Sequence, residues 1–139
     1  RCEVLTLERT RANAQQALVL NVKEGTSIFH SVMVHYENDL PVQIEDRCVN
    51  AEIVPEYLAQ DYSQTTPHAY LSLIAPLTEG EHIVEAVRAS AEECALLNIK
   101  EHDPCLLIRR KTWSASSIVS HARLLFPGSR YRLQGRFMS

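Results

Sequence analysis

Apolar and polar residues alternate along most of the chain, and where the alternation breaks it breaks at recognisable signals. CEVLTLE (2–8) reads as a short strand. NAQQALVL (13–20) holds one or two helical turns before Gly25 interrupts the chain. SIFHSVMVHY (27–36) is rich in Val, Ile, Phe and Tyr on both alternating faces, which predicts a strand covered on both sides. Asn38-Asp39 is a turn signal, and PVQIEDRCVN returns as the partner strand of a hairpin. Two short helices follow, VPEYLAQ (54–60) and TTPHAYLSLIA (65–75). Pro55 and Pro67 suit first helical positions, and Thr66 suits the cap.

EHIVEAVRA (81–89) alternates again, with Ile83, Glu85 and Val87 on one face and His82, Val84, Ala86 and Arg88 on the other. Ser90 and Glu93 form a capping box that opens a helix through AEECALLNI. CLLIRRKTW (105–113) and SIVSHARLLF (117–126) make a second hairpin around SASS, and Pro127-Gly128 turns into a last strand, RYRLQGRF. This order of elements predicts an α+β fold with a largely antiparallel sheet, and the hairpins exclude an all-parallel one.

One strand face is anomalous. Past the Asn38-Asp39 turn, Gln43, Glu45 and Arg47 share a face, while Val42, Ile44, Asp46 and Cys48 share the other. An amide, a carboxylate and a guanidinium in a row are expensive in a covered strand unless each is paired. Two readings stay open: the row lines a small-molecule pocket, or it is a solvent-washed face with a cross-strand ion pair.

Composition narrows the function classes. The chain has 139 residues, 45% of them hydrophobic and 22% charged, which suits one domain with its own core. With 4 Gly and no GxGxxG, GxxxxGK or GxSxG, a phosphate-cradling loop or nucleophile elbow is not expected. No apolar run approaches the roughly 18 residues of a membrane helix. The net charge of -3 and pI near 6.1 lack the positive excess of a nucleic-acid surface. The basic cluster Arg130, Arg132, Arg136 alternates with Tyr131 and Leu133 as an edge strand would. The chain opens on Arg1, so a longer protein with a preceding segment is expected.

Cys2, Cys48, Cys94 and Cys105 form no CxxC and sit among apolar neighbours, which predicts free buried thiols in a reducing cytoplasm. The 6 His show no converging metal-ligand spacing: His30 and His35 face opposite ways on one strand, and no HExxH occurs. Ser120 and His121 likewise point apart, so no nucleophile–base pair is apparent. Neither a metal, a cofactor nor a catalytic residue is expected. A binding domain is the leading reading, with an enzyme and a pure dimerisation module as rivals.

The motifs HYENDLPVQIE, SQTTPHAY, VEAV, SAEECALL, CLLIRR and GSRYRL together resemble the UTRA domain, the effector-sensing half of GntR-type transcription regulators of the HutC subfamily. The resemblance spans nearly the whole chain, taken as a single domain over 1–139. It implies a chorismate-lyase-like α+β fold and a winged helix-turn-helix, outside this chain, that binds operator DNA. It also implies a non-enzymatic role; a small lyase-like enzyme of the related fold, acting on an aromatic or unsaturated carboxylate, is the alternative. PLTEGEHIVEAV, RRKTWS and FPGSRYRLQGRF are most similar to the branch governing histidine utilisation, whose implied effector is urocanate. A homodimer is expected, since two operator half-sites match two-fold symmetry, with strand or hairpin edges supplying the interface.

Carried over by position, the resemblance nominates His35, Glu45, Thr65, Thr66, Ser120 and Phe126 as ligand-binding residues. Sugar-sensing relatives place arginines where this chain has Met33 and His35, and a glutamate where it has Ser120. Losing charge and gaining apolar surface suits a flat imidazole with one carboxylate. Glu45 is expected to accept the imidazole N–H. The carboxylate is expected at Thr65-Thr66 with His35 nearby, and Arg88 or Arg109 are the next candidates. A strict two-residue loop would put His35 and Glu45 on opposite faces, so an extra residue in or beside the turn is expected.

Overall fold

The computed structural model describes residues 1–138. Six strands form one antiparallel sheet: β1 (Cys2–Arg11), β2 (Ser27–Glu37), β3 (Leu40–Val49), β4 (Glu79–Arg88), β5 (Pro104–Ser114) and β6 (Ser117–Pro127), in the order β1-β2-β3-β6-β5-β4. Three short helices, α1 (Ala14–Leu20), α2 (Pro67–Ile74) and α3 (Ala91–Leu97), cover it. The α+β expectation with an antiparallel sheet holds.

Local chemistry explains the ends of the helices. Asn13 and Ser90 form capping boxes with Gln16 and Glu93, and Asn21 and Asn98 close the same two helices in left-handed conformation. Thr66 caps α2 through Ala69 N at 3.1 Å, with Pro67 as first helical residue.

Register sorts the side chains into two layers. Phe29, Ser31, Met33 and His35 of β2 stand opposite Val49, Arg47, Glu45 and Gln43 of β3, so all eight share a face. On that face Tyr57, Tyr62, Tyr70 and Leu71 pack over Phe29, Met33 and Val49. The opposite face packs in two patches. Ile28 and Cys48 lie under α1, while Val34, Ile44, Leu107 and Leu125 lie under α3.

Two bulges tune this sorting. His35 pairs with Gln43 but Tyr36 pairs with Pro41, leaving Val42 as the extra residue beside a turn in which Asn38 and Asp39 both have positive φ. The expected insertion is therefore present, and it puts His35 and Glu45 on one face. In β6, Ser120 pairs with Thr112 and Ile118 with Trp113, leaving Val119 over. Val119 accordingly joins the tyrosine layer while Ile118 packs toward α1.

Two expected elements need correction. The helix at 54–60 is only a 3-10 turn, Tyr57–Ala59. The Asn50 side chain takes the amides of Glu52 and Ile53 into a turn, and Tyr57, fully buried, anchors the segment instead of a helical face. The last strand does not form. Residues 131–138 have no strand partner; Arg130 instead donates to the carbonyls of Pro41 (2.8 Å), Leu97 and Asn98 (2.9 Å), and Tyr131 stacks on Phe126 at 3.8 Å. A guanidinium capturing the α3 C-terminus replaces sheet pairing as the clasp.

Candidate functional site

The polar row on β3 is the start of a chain of hydrogen bonds that crosses four strands. His35 Nε2 lies 2.8 Å from Glu45 Oε1, and Arg47 Nε donates to Glu45 Oε2 at 2.8 Å. Arg47 Nη1 donates to Ser120 Oγ at 2.9 Å, and Ser120 Oγ meets Thr112 Oγ1 at 3.0 Å. Nearby, Ser31 and the Tyr57 hydroxyl lie 2.8 Å apart, and Tyr62 donates to the Tyr57 carbonyl at 2.7 Å. Arg47 is 1% exposed and Glu45 4%. Among the described residues no buried side-chain nitrogen or oxygen lacks a partner. That answers the anomaly for two members of the row: Glu45 and Arg47 are buried and paired, while Gln43 is half-buried at its end.

Burial pushes the Glu45 carboxyl upward, but the Arg47 charge and the hydrogen bonds from His35 and Arg47 outweigh it and hold the group at about 2. An ionised carboxylate only accepts, so His35 must donate through Nε2. Glu45 thereby fixes the ring, and the other ring nitrogen is the one left for a partner. Burial also raises the Tyr57 hydroxyl to about 12 and the Cys48 thiol to about 11, so both stay protonated at neutral pH. The cysteines are free, as expected; Cys48, Cys94 and Cys105 are buried and Cys2 is half-buried.

His35 opens onto a cavity of about 210 Å³ between the start of β1, the β2 end and the loop before α2. Cys2, Tyr36, Tyr62, Thr65 and Thr66 also line it. Three expected site residues, His35, Thr65 and Thr66, therefore converge on one space, with Glu45 directly behind His35. Thr66 Oγ1 already accepts from Ala69 N, but a hydroxyl that accepts can still donate. Thr65 Oγ1 makes only a long contact, 3.5 Å, to the Thr66 carbonyl.

Ser120 and Phe126 sit elsewhere. Ser120 is 0% exposed and belongs to the buried network through Arg47, and Phe126 packs with Ile108, Leu124 and Tyr131. Of the reserve candidates, Arg109 donates to Glu85 at 2.7 Å, and Arg88 lies at the end of β4. The residues not anticipated are Cys2, Tyr36 and Tyr62. The sequence signal for Cys2 was the first strand itself, which pairs Cys2 against His35. A second cavity, of about 370 Å³, opens on the other side of α2 among His68, His82, Arg110 and Thr112. There Arg110 Nε donates to His82 Nε2 at 2.8 Å.

Comparison with known proteins places this geometry. The UTRA domain matches residues 1–132. A protein named "Histidine utilization repressor" from Klebsiella aerogenes is 78% identical over all of this chain, which covers 58% of that protein. A namesake from Pseudomonas aeruginosa is 60% identical, with 100% of this chain and 56% of that protein covered. The chain thus spans a little over half the length of these relatives. The crystal structure of the C-terminal domain of the histidine utilization repressor from Pseudomonas syringae superposes with a TM-score of 0.96 at 57% identity, covering 99% of this chain and 98% of that one. The effector domain of PhnF from Mycobacterium smegmatis shares the fold, with a TM-score of 0.89 at 18% identity over 99% and 86% of the two chains.

Proposed function

The chain belongs to the UTRA domain family, and from that premise we propose that it is the single effector-sensing domain, 1–139, of a cytoplasmic transcriptional repressor of histidine-utilisation genes. The observation that carries this reading is 78% identity, along the whole chain, to a protein named for that repression. The relatives are named as repressors rather than enzymes, and their names speak against the lyase-like alternative. Operator DNA is bound by a domain outside this chain, and the working form is a homodimer.

The effector is urocanate, the first intermediate of histidine breakdown. Its imidazole docks against His35 and the Glu45 carboxylate behind it, and its carboxylate takes the hydroxyls of Thr65 and Thr66. Support comes from the chemistry of the cavity. A sugar phosphate would need permanent positive charge at two β2 positions, and these hold Met33, fully buried, and His35. The cavity is smaller than the roughly 300–1,000 Å³ of drug-sized sites, the scale of a one-ring metabolite. Ser120 acts on the cavity indirectly, since it holds Arg47, which holds Glu45, whereas Phe126 packs away from it against Tyr131.

Calorimetric titration of the chain with urocanate, histidine and imidazole-propionate tests this. Urocanate should bind most tightly and histidine at least tenfold more weakly, because its ammonium group has no carboxylate to meet at Thr65-Thr66. Absence of heat with urocanate at millimolar concentration, or preference for histidine, would sink the effector assignment.

A further inference from the structure

β3, β5 and β6 carry the arginines Arg47, Arg109, Arg110 and Arg123, and all but one of them meet a carboxylate. Arg47 has Glu45, Arg109 has Glu85 and Arg123 has Glu93. Arg110, half-buried, is the exception. Its Nε donates to His82 Nε2 at 2.8 Å, and it forms no ion pair among the described residues. A ring nitrogen that accepts carries no proton, so His82 holds the guanidinium in place without cancelling its charge. Nη1 and Nη2 meet no protein acceptor among the described residues. The Arg110 side chain lines the cavity of about 370 Å³ beside α2, together with His68, Leu77, Thr78 and Thr112. Burial and the Arg110 charge push His68 and His82 below their ordinary value, which leaves Arg110 as the permanent cation of the cavity. The lining is fixed from below: Thr112 is 4% exposed and meets Ser120 at 3.0 Å, and Ser120 is held by Arg47.

We infer that this cavity is a second ligand site, separate from the effector cavity at His35, and that it takes a small monocarboxylate on the Arg110 fork. The guanidinium is planar, and its two Nη groups present parallel N–H bonds that match the two oxygens of a carboxylate. A half-buried charge without a counter-ion is costly, and a bound carboxylate supplies the counter-ion that the protein does not. The charge balance sets the ligand class. One permanent cation offsets one negative charge, and Glu79, on the same lining, opposes a second. A phosphate dianion therefore fits poorly. The neutral His68 and His82 rings and the Leu77 side chain leave the rest of the space to a short or one-ring uncharged body. The linings of this cavity and of the effector cavity share no residue, so the inference stands whichever effector binds at His35.

The test is an NMR titration of the isotope-labelled chain with sodium propionate, following the Arg110 side-chain Nε–H and the ring resonances of His35, His68 and His82. Propionate should shift Arg110, His68 and His82 saturably at millimolar concentration and leave His35 in place. Propionamide, which has the same shape without the charge, should shift none of them. Arg110→Gln, with its circular dichroism spectrum unchanged, should lose at least tenfold in propionate affinity, read from His68. Inorganic phosphate should bind the wild type at least tenfold more weakly than propionate. Shifts confined to His35 would put the anion in the effector cavity and overturn the second site, and so would shifts that never saturate. Propionamide acting like propionate, or phosphate binding as tightly, would overturn the monocarboxylate class. The wild-type shift pattern decides the question even where the variant fails to fold. None of these readouts uses urocanate, so failure of the effector assignment and failure of this site are told apart.

Discussion

Replacing Glu45 by Gln removes a single charge from the centre of the buried network, and the structure gives its consequences a size and a pH window. Glu45 is held between His35 and Arg47, and Arg47 is 1% exposed and also donates to Ser120. The carboxyl lies at about 2 against its ordinary 4.5. At 1.36 kcal/mol per pH unit that depression corresponds to about 3 kcal/mol of folding stability. The folded value is lowered, so the contribution is fully present above about 4.5, where the unfolded chain also ionises. It is lost as pH falls from there through 2. Glu45→Gln keeps an oxygen for one neighbour but leaves the Arg47 charge buried without its counter-ion. At pH 7 the variant should unfold about 3 kcal/mol more easily, roughly 10 °C lower in Tm for a domain of this size. Thermal denaturation followed by circular dichroism at a series of pH values between 7 and 2.5 is the assay. The wild-type and variant curves should stand apart at neutral pH and converge in the acid range. A gap that stays constant down to pH 2.5 would refute the argument, because the loss would then be packing and not charge. Urocanate affinity should fall by about tenfold to a hundredfold in the folded variant, the worth of a charged acceptor.

Other outcomes follow from the same geometry. Thr65→Val and Thr66→Ala should both weaken urocanate while sparing its neutral amide; equal losses for acid and amide would move the carboxylate elsewhere. Thr66→Ala alone should also cost about 1 kcal/mol of stability through the lost α2 cap, measurable by urea denaturation. Arg130→Ala should destabilise by about 2 kcal/mol, since it releases three carbonyl contacts that clasp the C-terminal segment to α3 and the β3 start; protease cleavage beyond residue 128 should become faster. His30, raised by its 2.8 Å hydrogen bond to Asp46 and by the Asp46 and Glu8 charges, stabilises fully below its unfolded value of about 6.5 and loses that contribution as pH rises through the higher folded value. His30→Gln should therefore be less stable than wild type at pH 5.5 and indistinguishable from it at pH 9.

The sequence by itself determined what depends on neighbours within about ten residues. Alternation located the strands, the Asn13 and Ser90 boxes and Thr66-Pro67 located three helix starts, and Asn38-Asp39 located a turn. The conflict between a strict two-residue loop and a shared face for His35 and Glu45 was itself enough to demand a bulge, found at Val42. The tertiary structure decided what depends on which groups end up dry. Arg47 and Glu45 look like an ordinary exposed ion pair in one dimension. They are buried because β6 lies against β3 and brings Ser120 to Arg47 across 73 positions of sequence. Burial alone would have raised the carboxyl; the Arg47 charge and the hydrogen bonds from His35 and Arg47 outweigh it and hold the group down. SRYRLQGRF has a strand's alternation but no strand, because no sheet edge comes beside it and because Arg130 finds three carbonyls at the ends of two distant elements. β4 is the converse. Its alternation is ordinary, and only the strand order shows that, among the described residues, no strand pairs with one whole edge of it. Propensity is a local quantity, whereas desolvation and edge exposure belong to the assembled sheet.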